Sequence, residues 1–336
     1  MIRISPSASK RHEQLSVRGM PVAVFVEDWG ASYGSAYLVT QDDTGSASAE
    51  LVEDGQDLVP HDGVPPARLD GAIAFVDGVR RGEASLWQEN AAGRSGRGLA
   101  GGHACGAVIA DSSSVGFGDS RVQRTVIWGS GMTGNLPEVR GGWAWAVASV
   151  GDVRPDAPLK ELQTRMRQEE GRLAEELCAA GFLTVVDGPL NFVRSRDLPV
   201  VGFVKTHHRA LLGPEQHRRI PMLGPGQRSS LFRLGQDRYS AYLRLAPVSA
   251  TSSPWSGIVR IEIPQSAGLD AAISTADRIA GIIPRYAGVA HRDPRAPQNL
   301  QPVGALEKYL RHRLGSAALA VRAVREAVAI AAGVLA

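Results

Sequence analysis

Two short, almost wholly apolar runs stand out along the chain, and each stops at Asp-Gly. Ala72-Ile73-Ala74-Phe75-Val76 leads into Asp77-Gly78, and Phe182-Leu183-Thr184-Val185-Val186 leads into Asp187-Gly188. Runs of this length, rich in Val, Ile and Phe, predict strands buried on both faces. A third apolar run at 198–204 ends in Lys205. Between the first two lies the strongest helical periodicity of the chain. Leu159, Leu162, Met166, Leu173 and Leu177 recur at helical spacing with charge on the other faces, so 158–180 predicts an amphipathic helix stopped by Gly181.

The remaining pattern is shorter in range. Strand-like runs at 21–26 and 35–40 precede an acidic, Gly/Pro-rich stretch ending at Pro66. Residues 84–150 alternate apolar runs (84–87, 106–110, 122–128, 142–150) with Gly/Ser turns, which predicts strands paired through loops, with a Gly/Arg-rich loop at 95–102. Further strands are expected at 229–234, 239–246 and 257–263, and helices at about 267–283 and 303–314. Residues 1–20 are polar and read as loose. The Ala/Val-rich tail at 316–336 reads as a helix that packs either on this protein's own core or dimer, or on a partner. With no repeat or low-complexity tract, the pattern predicts one α/β catalytic domain at 71–314, an N-terminal elaboration at 1–70 and a C-terminal helix at 315–336.

Composition narrows the class only modestly. The 336 residues are 43% hydrophobic and 21% charged, ordinary for a folded protein with a large core, and the net charge is +3. Arginine supplies nearly all the positive charge, which leans weakly toward phosphate recognition and more strongly toward a GC-rich genome. Cys105 and Cys178 form no CxxC pattern, so neither a disulfide framework nor a structural zinc site is expected. The start resembles no signal peptide and no window has the apolarity of a membrane span, so no membrane association is expected and the cytoplasm is the expected location.

The Asp-Gly strand ends carry the chemistry. Side chains there project from a sheet edge, where ligands bind in α/β sheets, and the glycine lets the chain turn away. Neighbouring carboxylates repel unless a cation neutralises them, and hard oxygen ligands favour Mg²⁺ or Mn²⁺. Two such ions roughly 4 Å apart can activate water and stabilise the leaving oxygen of a phosphodiester. Asp-Gly is also a common turn dipeptide, so neither alone is decisive. On the intervening helix, Glu161, Glu169, Glu170, Glu175 and Glu176 are mostly expected in solvent. Glu169 and Glu170 fall in the gap between Met166 and Leu173, and the sequence does not choose which of them faces the aspartates.

Other motifs carry less. Gly129-Ser130-Gly131-Met132-Thr133-Gly134 fits GxGxxG, but no helix follows it, so a turn is expected rather than a dinucleotide site. There is no GxxxxGK[ST] phosphate loop, so any ATPase must reside on a partner. His103 with Cys105, and His207-His208, lack the second ligand pair a zinc site needs.

Strand–Asp-Gly, a helix with an inward Glu, then strand–Asp-Gly-Pro-Leu resembles the NurA nuclease family. Phe75-Val76-Asp77-Gly78-Val79-Arg80 is similar to its first motif, with Val79 where the family usually has Ser. The stretch 165–170 and then Val185-Val186-Asp187-Gly188-Pro189-Leu190 resemble the second and third. Val200-Val201-Gly202-Phe203-Val204-Lys205 resembles the next strand with its terminal lysine, and Tyr286-Ala287-Gly288-Val289-Ala290-His291 the last motif. The resemblance spans about residues 70–310. It implies an RNase H-like mixed sheet flanked by helices and two Mn²⁺ (or Mg²⁺) ions. It also implies a homodimer that resects DNA ends, as a 5′–3′ exonuclease or endonuclease, beside a HerA-like hexameric ATPase in repair or phage defence. By the same resemblance Asp77, Asp187, His291 and either Glu169 or Glu170 hold metal, with Lys205 and Tyr286 completing the catalytic set. As a histidine His291 suits proton transfer near neutrality by its residue type, Lys205 suits a phosphate, and Asp293 is close enough in sequence to be a further carboxylate. Two other readings stay open: a different RNase H-like nuclease, and a non-catalytic module that binds DNA or a partner.

Overall fold

The computed structural model describes residues 22–26, 49–64, 71–90, 92–194, 200–205, 210–247, 253–289, 291–293 and 296–334. The expected run at 35–40 and the His207-His208 pair lie outside them. The first strands are β1 (Val22–Val26), β2 (Glu50–Leu51) and β3 (Pro60–Asp62). Then comes a strand that does not stop where the sequence suggested. β4 (Ile73–Asn90) passes straight through Asp77-Gly78 and forms an antiparallel meander with β5 (Ser95–Ala110) and β6 (Val115–Trp128). The turn expected after Asp77 is therefore absent, and the loop expected at 95–102 is strand.

Packing explains both corrections. A Cβ on Gly78 would lie 2.5 Å from Glu170 Oε1 and 2.9 Å from Met166 Cγ. One on Gly98 would meet the Trp128 ring at 2.5 Å, and one on Gly101 would meet Leu162 Cδ2 at 2.8 Å. These glycines make flat places on the sheet where covering side chains press close, so they mark close approach rather than turns.

After β7 (Ala146–Ser149), which lies parallel to β6, the periodic segment forms α1 (Ala157–Ala179). Gly181 follows with φ +91°, as the C-terminal stop requires. β8 (Leu183–Asp187) returns parallel to β4, pairing Ile73 with Leu183 through Val76 with Val186, and β9 (Val200–Val204) lies parallel to β8. The chain continues through α2 (Pro214–Arg219), β10 (Gln227–Ser229), β11 (Phe232–Leu234), β12 (Arg238–Arg244) and β13 (Ile258–Pro264). It ends in α3 (Leu269–Ile282), α4 (Gln301–Arg313) and α5 (Ala317–Ala331).

The central strand order is β6-β5-β4-β8-β9, an antiparallel meander joined to a parallel pair through α1. That is an RNase H-like arrangement, as the motif order implied. β13, β12, β11 and β2 extend the sheet beyond β9. Residues on both faces of the paired strands are buried. Val76 and Val186 pack with Leu173, Ala174 and Cys178 of α1, while their neighbours Phe75 and Val185 pack with Ile279, Leu306 and Leu310 of α3 and α4. Strand alternation then puts Asp77 and Asp187 on the α3–α4 side.

The apolar face of the tail is covered from within. Ala323, Val324 and Ala327 of α5 pack with Leu86, Trp128 and Met132, so that face closes this protein's own core. Among the described residues no helix is long and apolar enough to cross a membrane.

Candidate active site

Three carboxylates from three elements converge at the point where β8 ends and β4 runs on. Oxygens of Asp77 on β4, Asp187 at the end of β8 and Glu307 on α4 lie within 4.8 Å of one another. Asp77 is only 5% exposed. Burial pushes its carboxyl well above the usual carboxylate range, and the charges of Asp187 and Glu170 push it further. Glu170 approaches from α1, outside this group of three but near enough for its charge to act on Asp77, and is 1% exposed. Burial raises its carboxyl as well, Arg167 pulls it back and Asp187 adds repulsion, leaving it at about 7.

Cationic side chains partly offset this crowding. Arg167 Nη1 donates to Glu170 Oε2 at 2.8 Å and to the Asp187 carbonyl at 2.7 Å, tying α1 to the end of β8. Lys205 Nζ donates to Asp187 Oδ2 at 2.7 Å and to Asn299 Oδ1 at 2.6 Å. Asn299 in turn donates through Nδ2 to Asp293. Glu170 Oε1 is buried with no well-aligned hydrogen bond among the described residues; the Gly78 amide is the group that faces this carboxyl and lowers its pKa. Hard oxygens brought close together, with mutual repulsion between them, fit a divalent cation at this place.

The two glutamates left open by the sequence are separated by the fold. Glu170 points to the aspartates, whereas Glu169 faces the other way, accepting from Arg121 of β6 at 2.9 Å and pairing with Arg172 at 3.0 Å. Lys205 joins the cluster, and Asp293 reaches it through Asn299. Tyr286 stands aside: its ring meets Phe75 edge-on at 4.9 Å, and burial raises its hydroxyl pKa. His291 is exposed and lies outside the carboxylate group.

Sequence reasoning missed Glu307, Arg167 and Asn299. Glu307 lies 3.6 Å from Arg311 one turn on, an i,i+4 pair of the kind that usually marks a solvated helix face. Nothing local separated it from such a pair. His103 and Cys105 are buried in β5 and belong to no metal-competent group among the described residues. Glu53, Asp54 and His61 form a second acidic group, but Arg228 already grips Glu53 through two hydrogen bonds of 2.7 and 2.8 Å. The 129–134 segment is a turn, with Ser130 and Gly131 at positive φ and no helix after it.

The sequence matches no protein-family model and no curated protein. Among solved structures the chain is similar to the NurA nuclease from Sulfolobus solfataricus, at 12% identity and a TM-score of 0.44. That similarity covers 76% of this chain and 84% of the other. The fold and the site described above stand on this chain's own strand order and side chains.

Proposed function

We propose that the chain is a metal-dependent nuclease that hydrolyses phosphodiester bonds of DNA at the cluster of Asp77, Asp187, Glu170 and Glu307. One observation supports this above the rest. Carboxylates from β4, β8 and α4 are gathered within 4.8 Å of one another, with Glu170 of α1 beside them, and their repulsion beyond what Lys205 and Arg167 offset costs stability that a bound cation would recover. The order of motifs along the chain, similar to that of the NurA family, points the same way.

Asp77, Asp187 and Glu307 would hold one ion, and Glu170 would help hold a second. Bound Mn²⁺ or Mg²⁺ supplies Lewis-acid polarisation of the phosphate and a more acidic water. The chain's own residues do the rest. Arg167 fixes Glu170 against the end of β8 and keeps both carboxylates facing the same space. Lys205, anchored by Asn299, places a compact positive charge beside Asp187, within reach of a phosphate oxygen. His291 and Tyr286 are assigned by the resemblance alone: His291 as a group that orients or protonates near the scissile phosphate or as a further metal ligand, Tyr286 as a member of the catalytic set.

By the same resemblance the nuclease works as a homodimer beside a HerA-like hexameric ATPase, trimming DNA ends in repair or phage defence. The deciding experiment incubates the purified protein with end-labelled single- and double-stranded DNA in Mn²⁺, Mg²⁺ or EDTA. Cleavage should require the metal and vanish in Asp77→Asn. Binding without cleavage in any metal would favour the non-catalytic reading.

A further inference from the structure

An open cleft of about 890 Å³ adjoins the carboxylate cluster, walled by the β5–β6 hairpin, residues 286–289 and 292–293, and α4. Resting on the nuclease reading, we propose that this cleft seats an unpaired nucleic-acid strand, with Phe117 stacking a base and Arg292 and Lys308 holding phosphates.

Continuity is the first ground. Glu307 and Asp293 line the cleft, and Glu307 is also part of the carboxylate cluster, so the cleft opens directly onto the proposed site of cleavage. Phe117 is the second. It lies at the start of β6 with 51% of its surface exposed, although aromatic rings bury themselves when they can. It is held flat, not loose. Tyr309 of α4 stacks under it at 4.3 Å and 14°, and the Tyr309 hydroxyl is fixed by Ser120 Oγ at 3.4 Å and Arg313 Nη1 at 3.1 Å. One face of the Phe117 ring is therefore occupied and the other is offered to solvent, a preformed platform for a planar group. Val115, 63% exposed, widens the apolar rim.

Charge is the third ground. Arg292, Lys308 and Arg311 are exposed and line the same cleft, around a floor that is acidic. A positive rim above carboxylates suits a polyanion whose phosphate must come down onto bound metal. It does not suit an acidic peptide, which gains nothing from the floor. An aromatic face beside a basic rim is the device by which proteins hold single strands without reading sequence, because every base has a π face. A paired base cannot present that face, so a duplex end would have to fray before it enters.

Binding can be separated from cutting. Fluorescein-labelled oligothymidylate is titrated in EDTA, followed by anisotropy, with variants checked by circular dichroism. Phe117→Ala should weaken binding about five- to tenfold or more, the scale of one lost base stack, and Phe117→Trp should restore it. Arg292→Glu with Lys308→Glu should weaken binding at least about tenfold and reduce its salt dependence, since fewer counterions are released. Arg325→Glu, on the remote α5, should have little effect. If Phe117→Ala binds like the parent, if the double charge reversal is no worse than Arg325→Glu, or if duplex binds more tightly than oligothymidylate, the cleft assignment is wrong. Asp77→Asn tests the other reading independently. It should bind oligothymidylate normally and cut nothing, and a cutting Asp77→Asn enzyme would overturn the site of cleavage while leaving the strand seat intact.

Discussion

Glu170 has one oxygen on Arg167 and the Gly78 amide beside its carboxyl, in a site where burial already opposes its charge. Two expectations follow at the scale of single residues. Glu170→Gln and Asp77→Asn should each lower metal-dependent cleavage at least about 100-fold, the cost of losing a main electrostatic contact to developing charge. Glu169→Gln, directed at Arg121 and Arg172, should stay within a few-fold of the parent. Equal losses in both glutamate variants would undo the assignment. The second concerns pH. A carboxyl whose folded pKa exceeds its unfolded value lends stability at low pH and loses it as pH rises through the folded value. For Glu170 that window runs from about 4.5 to about 7. The metal-free protein should therefore melt at a lower temperature as pH climbs through this window, relative to Glu170→Gln measured in parallel. Added Mn²⁺ should raise the melting temperature more at the upper end, because proton and ion compete for the same oxygens. A flat difference between the two proteins would show that Glu170 does not titrate there.

Elements show what could be read from the sequence and what could not. The buried strands, α1 and the convergence of Asp77 with Asp187 were legible because burial on both faces and helical spacing are patterns of local sequence. The continuity of β4 was not. Asp-Gly reads as a turn unless one knows that α1 presses on Gly78, and that contact joins residues far apart in the chain. The glycines of β5 misled for the same reason, and Glu307 was invisible because only the docking of α4 turns a helix-surface glutamate into a cluster member. Gly78→Ala tests this account of packing. Its Cβ would fall 2.5 Å from Glu170 Oε1, 2.9 Å from Met166 Cγ and 3.0 Å from Cys105 Sγ, so the side chains of α1, or α1 with them, must shift. A loss of about 1–3 kcal/mol is expected in urea denaturation, together with most of the activity. Gly116→Ala, which meets nothing within 4 Å, should change little. Removal of 316–336 should likewise destabilise the protein, since Leu86 and Trp128 would lose the cover of α5. A soluble, stable truncation would contradict the packing of the tail.

Across the whole molecule, residues far apart in sequence are tied by one buried charge network. Arg228 of β10 is 1% exposed at its side chain; it bonds Glu53 twice and reaches Asp277 of α3 at 2.6 Å. The Gly63 amide bonds the Gly226 carbonyl at 3.0 Å, and the Val64 amide bonds the Asp277 carbonyl at 3.0 Å. The 49–64 segment is thereby fixed to the sheet and to α3, the same helix that packs over Phe75 and Val185 beside the carboxylates. Breaking such a network by removing one partner leaves buried charge uncompensated, at a cost of about 3–5 kcal/mol. Arg228→Ala should lose stability on that scale, and the described fold should unfold in one transition rather than shed its early segment first. The pH dependence gives an independent check. Burial alone would raise the Glu53 carboxyl, but the bonds from Arg228 and the Leu231 amide outweigh it and hold the group below its ordinary 4.5. A depressed carboxyl lends stability above the unfolded pKa and loses it as pH falls through the folded value. Acidification below about pH 4.5 should therefore destabilise the parent more steeply than Arg228→Ala. Parallel acid curves, or a first transition confined to the early segment, would show that Arg228 does not bind the two parts of the sequence into one cooperative unit.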